Sequence, residues 1–243
     1  MENHLHPALK NLKAVIFDVG GTLIHPDWRR LGSLAEAETA TVFTSAQLHE
    51  AFYAMLETVN AELKSGVNSK TERGPHWVFI DTFRSLGLDE AQCLRIRRRL
   101  VDAHAQRHLW CEPDAEAANV LIALKTAGLR LAVISNTEDG RAIESLALAN
   151  LSSHLAFIID SHLVGCSKPD KEIFQRALDV LGLKAREAAY VGDSYGFDVI
   201  GARRAGLHPI LLDRTGAYDS EPDLTTIRSL TELIGRGDDK ADA

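Results

Sequence analysis

The sequence predicts an α/β protein: a doubly wound, Rossmann-like parallel-sheet core with an inserted α-helical cap. Three observations carry this expectation. Five short apolar runs rich in Val, Ile, Leu and Ala recur at residues 14–17, 129–134, 157–159, 188–191 and 210–212. Short continuous apolar runs, rather than alternating ones, suit strands covered by helices on both faces of a parallel sheet. Helical patterns that stop at glycine separate the later runs. Finally, the stretch from about Pro26 to Trp110 is helical in pattern and contains no comparable run.

In chain order, residues 14–17 form the first strand. The insertion follows directly, with helices read over 33–44, 45–64 and 90–109. Its loop 65–75 is polar and bounded by Gly and Pro, and is predicted to be mobile. A helix over 114–127 stops at Gly128. Another over 171–181 puts Ile173, Phe174, Ala177, Leu178 and Leu181 on one stripe and stops at Gly182. A third, over 197–205, stops at Gly206. The alternation indicates repeated βαβ units. The expected organisation is a core of residues 1–24 and 112–243 and a cap of residues 25–111, with a frayed tail from Gly235.

The bulk numbers bound the function. With 243 residues, 45% hydrophobic and 25% charged, the chain can bury a substantial core. A net charge of -7 and a pI near 5.8 argue against a nucleic-acid or anionic-membrane surface, since both need a basic face. No apolar run reaches membrane-spanning length, and residues 1–10 lack the apolar segment of a secretory signal. Cys93, Cys111 and Cys166 show neither metal-ligand spacing nor a disulfide framework, and Cys111 and Cys166 are read as structural. The expectation is a cytoplasmic monomer or homodimer whose partner is a small molecule.

Four features fall where such a sheet places ligands, beyond the carboxyl ends of its strands. Asp18-Val19-Gly20-Gly21-Thr22 follows the first run, Ser135-Asn136 the second, and Lys168-Pro169 begins a later helix. Gly192-Asp193-Ser194-Tyr195-Gly196-Phe197-Asp198 follows the fourth run. Each alone has an ordinary explanation as turn or cap chemistry. Their joint occurrence, in this order and at strand exits, is what points to a site.

In these motifs the chain resembles the haloacid dehalogenase-like (HAD) hydrolase superfamily, with the helical insertion where that family has its C1-type cap. The segment 129–213 looks especially like the subgroup that includes haloacid dehalogenase-like domain-containing protein 3. The resemblance implies a hydrolase acting on a phosphorylated small molecule through an aspartyl-phosphate intermediate, with Mg²⁺ as cofactor. It makes Asp18 the nucleophile and a metal ligand. Asp193 and the backbone carbonyl of Gly20 become further metal ligands, Lys168 a fixed positive charge, and Ser135 a hydrogen-bond donor to phosphoryl oxygen. Asp198 is expected to orient Lys168 or a metal-bound water. Thr22 and Asn136 are expected at the substrate cradle, with Thr22 bracing the loop. Arg73 and His76 are the cap residues expected to touch substrate.

One position departs from the family pattern. Where family phosphatases carry a second Asp as general acid and base, this chain has Gly20. Such assistance is typically worth roughly 10²–10⁴-fold in rate. Either an acid comes from elsewhere, with His25 or Asp27 as candidates, or the reaction differs. A phosphonoacetaldehyde hydrolase-like route needs a cap lysine, Lys64 or Lys70, in surroundings less polar than these. A 2-haloacid dehalogenase carries Tyr at this position and lacks the acidic fourth motif, which Asp193 and Asp198 supply here. A weakly catalytic phosphate-binding or regulatory protein is the remaining alternative. In the cap, Trp77 is read as core, the run Arg95, Arg97, Arg98, Arg99 as a solvated face, and His104 with His108 as a surface pair.

Overall fold

The computed structural model describes residues 5–66 and 74–235. They form two compact units, one from residues 5–24 and 113–235 and the other from residues 25–66 and 74–112.

The first unit is built on a six-stranded sheet. Its strands are β1 (Ala14–Phe17), β4 (Arg130–Ser135), β5 (Ile158–Asp160), β6 (Ala188–Gly192), β7 (His208–Leu212) and β8 (Thr225–Ile227). The order is β5-β4-β1-β6-β7-β8, and every neighbouring pair is parallel. In β1 every side chain is buried, as its unbroken apolar run requires. Ile16 is in register with Ala132 on one side and Tyr190 on the other. Ala14 and Ile16 share a core with Ile173, Phe174, Ala177 and Leu178 of α8 (Lys171–Leu181) and Ala202 of α9 (Ile200–Ala205). Val15 and Phe17, one residue out of phase, face the opposite side of the pleat. β1 lies where the strand order turns back on itself, so the exits of β1, β4 and β6 open together at the switch point.

The second unit is helical: α1 (Trp28–Thr39), α2 (Ser45–Lys64), α3 (Trp77–Ser85) and α4 (Glu90–Gln106). Leu31, Leu48, Phe79, Ile80, Phe83, Ile96 and Leu100 form its core. Two short strands, β2 (Ile24–Pro26) and β3 (Trp110–Pro113), pair in a separate sheet.

The sequence reading differs from this fold in specific places. α1 begins at Trp28, capped by the Asp27 carboxylate, and not at residue 33. Gly32 lies inside α1, and the Phe43 carbonyl packs against its bare Cα. A Cβ there would meet that oxygen at 2.8 Å. α4 stops at Gln106, where Arg107 turns extended. α5 (Ala117–Thr126) starts three residues later than expected, after a turn in which the Ala117 N–H reaches the Asp114 carbonyl. β2, β3 and β8 carry no apolar run and escape the pattern. Most of loop 65–75, including Lys70 and Arg73, and the tail beyond Gly235 lie outside the described residues.

Candidate active site

At the β1 exit, the Asp18 N–H donates to the Val191 carbonyl at 2.8 Å, so the residue continues the pairing of β1 with β6. The chain then folds back tightly. The Val19 carbonyl accepts the N–H groups of Leu23 and Ile24, both at 2.9 Å, and the Gly21 N–H donates to Ile24 at 2.8 Å. Gly21 sits at φ +82°, and a Cβ on it would lie 2.0 Å from Asp193 Oδ2. Glycine is therefore needed twice over, for its conformation and for the approach of a carboxylate to bare backbone.

At the β4 exit, Ser135 is buried and Asn136 turns towards the segment before α8. The Asn136 amide makes a reciprocal pair with the Lys168 backbone: Nδ2 donates to its carbonyl at 3.0 Å and Oδ1 accepts its N–H at 2.9 Å. Asp160, at the end of β5, organises the same corner. It accepts the N–H of His162 and of Ala142, each at 3.0 Å, and the Thr137 hydroxyl.

At the β6 exit, Gly192-Asp193 leads into a π-turn over Tyr195–Val199. Asp198 closes back on it through Oδ2, which accepts the Ser194 N–H at 2.9 Å. A Cβ on Gly192 would stand 2.3 Å from Asp198 Cγ, so this turn and this carboxylate require glycine there.

These three exits converge on Lys168, which is only 3% exposed. Its ammonium lies 2.6 Å from Asp18 Oδ1 and 2.7 Å from Asp198 Oδ1, and 5.6 Å from the centre of the Tyr190 ring. Asp18, Asp193 and Asp198 each present an oxygen within 4.8 Å of the others, and all three are buried. One cation thus faces three carboxyl groups. Burial raises the Asp18 pKa to about 6, with the Asp198 charge adding to the rise and Lys168 opposing it. Burial also pushes Asp193 well above the ordinary carboxylate range, helped by the charges of Asp18 and Asp198. For Lys168, burial alone would lower the pKa, but Asp18 and Asp198 outweigh it and the ammonium is held charged.

The structure thus brings Asp18, Lys168, Asp193 and Asp198 together, with Asn136 holding the Lys168 backbone. Gly20 lies in the folded-back loop, bridged to Ile24. Thr22 is 0% exposed, which closes its side chain to a substrate. Its hydroxyl has no hydrogen-bond partner among the described residues, so any bracing comes from packing. His76 stands at the N-terminus of α3 in the helical unit, its ring 4.8 Å from that of His104. His108 is buried, correcting the reading of a surface pair. α4 ends before it, and its ring lies 4.3 Å from that of His104. Trp77 is half-buried; Arg95, Arg98 and Arg99 are exposed and Arg97 is half-buried. Sequence reasoning missed Tyr190 and Asp160. Tyr190 reads only as an apolar strand residue, and the Asp160 signal, an acidic residue ending an apolar run, is of the same kind that marked Asp18.

A buried lysine is thus clamped between a strand-exit Asp and a second acidic loop at the switch point of a parallel sheet, where sheets of this class place their ligands. A family model, haloacid dehalogenase-like hydrolase, matches residues 12–206, and the chain belongs to that family. It is 32% identical over 239 residues to human haloacid dehalogenase-like hydrolase domain-containing protein 3, covering 92% of each chain. It is 28% identical over 232 residues to the glyceraldehyde 3-phosphate phosphatase of Methanothermobacter thermautotrophicus, covering 91% of this chain and 98% of that one. Among solved structures, the magnesium-bound HAD-hydrolase YfnB from Bacillus subtilis superposes with a TM-score of 0.66 at 20% identity, over 92% of this chain and 97% of that one.

Proposed function

We propose that this hydrolase is a Mg²⁺-dependent phosphatase of a phosphorylated small molecule, with Asp18 as the nucleophile. The observation that carries the reading is the cluster of Asp18, Asp193 and Asp198 around a single buried ammonium. With all three carboxylates ionised, the cluster is two charges short of neutral, which a divalent cation would supply. The donors fit Mg²⁺: they are hard oxygens, and Asp193 is pressed against a loop with no side chain at Gly21. Asp18, Asp193 and the Gly20 carbonyl would hold the ion, which would neutralise charge on the phosphoryl group.

The chain's own residues do the rest. Lys168 engages Asp18 Oδ1 and leaves Oδ2 as the attacking oxygen. Attack on phosphorus forms the Asp18–phosphoryl bond and breaks the P–O bond to the leaving group, which departs as an alkoxide and takes a proton from solvent; water then attacks the phosphorus, loses its proton to solvent, and releases phosphate with the Asp18 carboxylate restored. Lys168 offsets the repulsion between the Asp18 carboxylate and the phosphoryl oxygens. Asp198 fixes the ammonium, Asn136 fixes the backbone beneath it, and Ser135 is assigned a hydrogen bond to a phosphoryl oxygen. His76 and Arg73 remain the proposed cap contacts. The units 25–112 and 1–24 with 113–243 are assigned as cap and core, and the working compartment is proposed as the cytoplasm. The phosphatase named among the relatives supports the phosphoryl substrate.

The test is phosphate release from a panel of phosphorylated metabolites, in Mg²⁺ and in excess EDTA, by the native chain and Asp18→Asn. Release that needs Mg²⁺ and vanishes in the variant supports the reading. Full activity of Asp18→Asn, or of the native chain in EDTA, would contradict it.

A further inference from the structure

We infer that the loop after β7, residues 213–224, positions the Asp193–Asp198 turn through Tyr218 and Glu221, and so sets how tightly these carboxylates hold a divalent cation. The inference rests on the metal-dependent reading above. The loop is itself pinned at its root. Asp213, buried at the end of β7, accepts the N–H groups of Gly216 at 2.9 Å, Ala217 at 3.1 Å and Tyr218 at 2.9 Å, and pairs with Arg228 at 2.9 Å. Arg214 ties the same root to Asp114, just beyond β3, at 2.7 Å.

So anchored, the loop presents two contacts to one residue. The Tyr218 ring stacks on Tyr195 with centroids 4.9 Å apart and planes 4° from parallel. The Tyr195 hydroxyl donates to Glu221 Oε1 at 2.8 Å. Tyr195 opens the π-turn and stands between Asp193 and Asp198 in sequence. It packs with Val199 and Leu211 into a buried cluster on which Tyr218 and Leu224 also rest. The carboxylates at this turn repel one another, and their spacing must be imposed by backbone restraint. The Tyr218–Tyr195–Glu221 contacts supply that restraint from outside the sheet, which makes these three positioning residues.

The experiment measures Mg²⁺ affinity by calorimetry at pH 8, together with the Tm in EDTA, on the full chain and its variants. Tyr218→Leu, which removes the stack, and Tyr195→Phe, which keeps the rings but deletes the bond to Glu221, are each expected to weaken Mg²⁺ binding about three- to tenfold. Tyr218→Phe restores the stack and is expected to return affinity to within about twofold of the native value. A lower Tm with unchanged Mg²⁺ affinity in both Tyr218→Leu and Tyr195→Phe makes the role merely structural and overturns the inference. Should Tyr218→Leu not fold, Tyr195→Phe decides alone. A native chain that binds no Mg²⁺, or an Asp193→Asn variant that binds as tightly as native, instead removes the metal-dependent reading itself, so the two failures are distinct.

Discussion

Lys168 is the residue on which the site's charges balance. Buried between Asp18 and Asp198, it is the only cation in contact with either carboxylate among the described contacts. Removing it leaves buried carboxylates uncompensated. Lys168→Met is expected to cost about 3–5 kcal/mol in urea unfolding at pH 8 in EDTA. The loss should shrink near pH 5, below the raised Asp18 pKa of about 6, where that carboxyl takes up a proton. Gly20 is the second decisive residue. Its φ lies outside the left-handed region, so its backbone accepts a side chain. If Gly20 leaves the leaving group without an acid, Gly20→Asp should raise turnover of alkyl phosphates roughly 10²–10⁴-fold. Aryl phosphates, which leave without protonation, should respond far less. Equal rates for the two proteins on alkyl phosphates would mean that another group already supplies the proton.

At the scale of elements, the site depends on three strand exits keeping their spacing, and two contacts hold them. The β6 exit needs Gly192 bare. Gly192→Ala would drive a methyl group into Asp198 and pull it from Lys168, at an expected cost of about 1–3 kcal/mol and with weaker Mg²⁺ binding. Thermal unfolding with and without Mg²⁺ checks both. The β4 exit is tied to the segment before α8 by the Asn136 amide. This contact joins residues 32 apart in sequence, and no local pattern announces it. The apolar strands and the α8 stripe were legible because periodicity is local. β2, β3 and β8 were not, because three or four residues with threonine or proline carry no period, and only pairing makes them strands. The early start of α1 was not legible either; Gly32 lies inside that helix, where the Phe43 carbonyl claims the space a side chain would fill.

For the whole molecule, the cluster links metal, protons and stability. In the absence of metal, burial raises the Asp18 pKa in the folded chain to about 6 and pushes Asp193 well above the ordinary carboxylate range. The folded state therefore binds more protons than the unfolded one above pH ~4, and its stability falls as pH rises through ~6. In EDTA, the native chain should lose stability over this window relative to Asp193→Asn, and Mg²⁺ should flatten the difference. Mg²⁺ binding near pH 6 should also release protons, seen as a calorimetric heat that varies with buffer ionisation enthalpy. Buffer-independent heats would count against protonated carboxyls at the site. The sequence by itself determined the parallel core, the inserted helical segment and the four motifs at strand exits, since hydrophobic period and strand-end chemistry are written locally. Tertiary structure decided between the two partners expected for Asp198, setting Lys168 between it and Asp18, and it alone decided that Thr22 is enclosed, that Asn136 grips the Lys168 backbone, and that Tyr218 stacks on Tyr195. Those relations join residues far apart in the chain, and only the strand order that brings β1, β4, β6 and β7 side by side makes them neighbours.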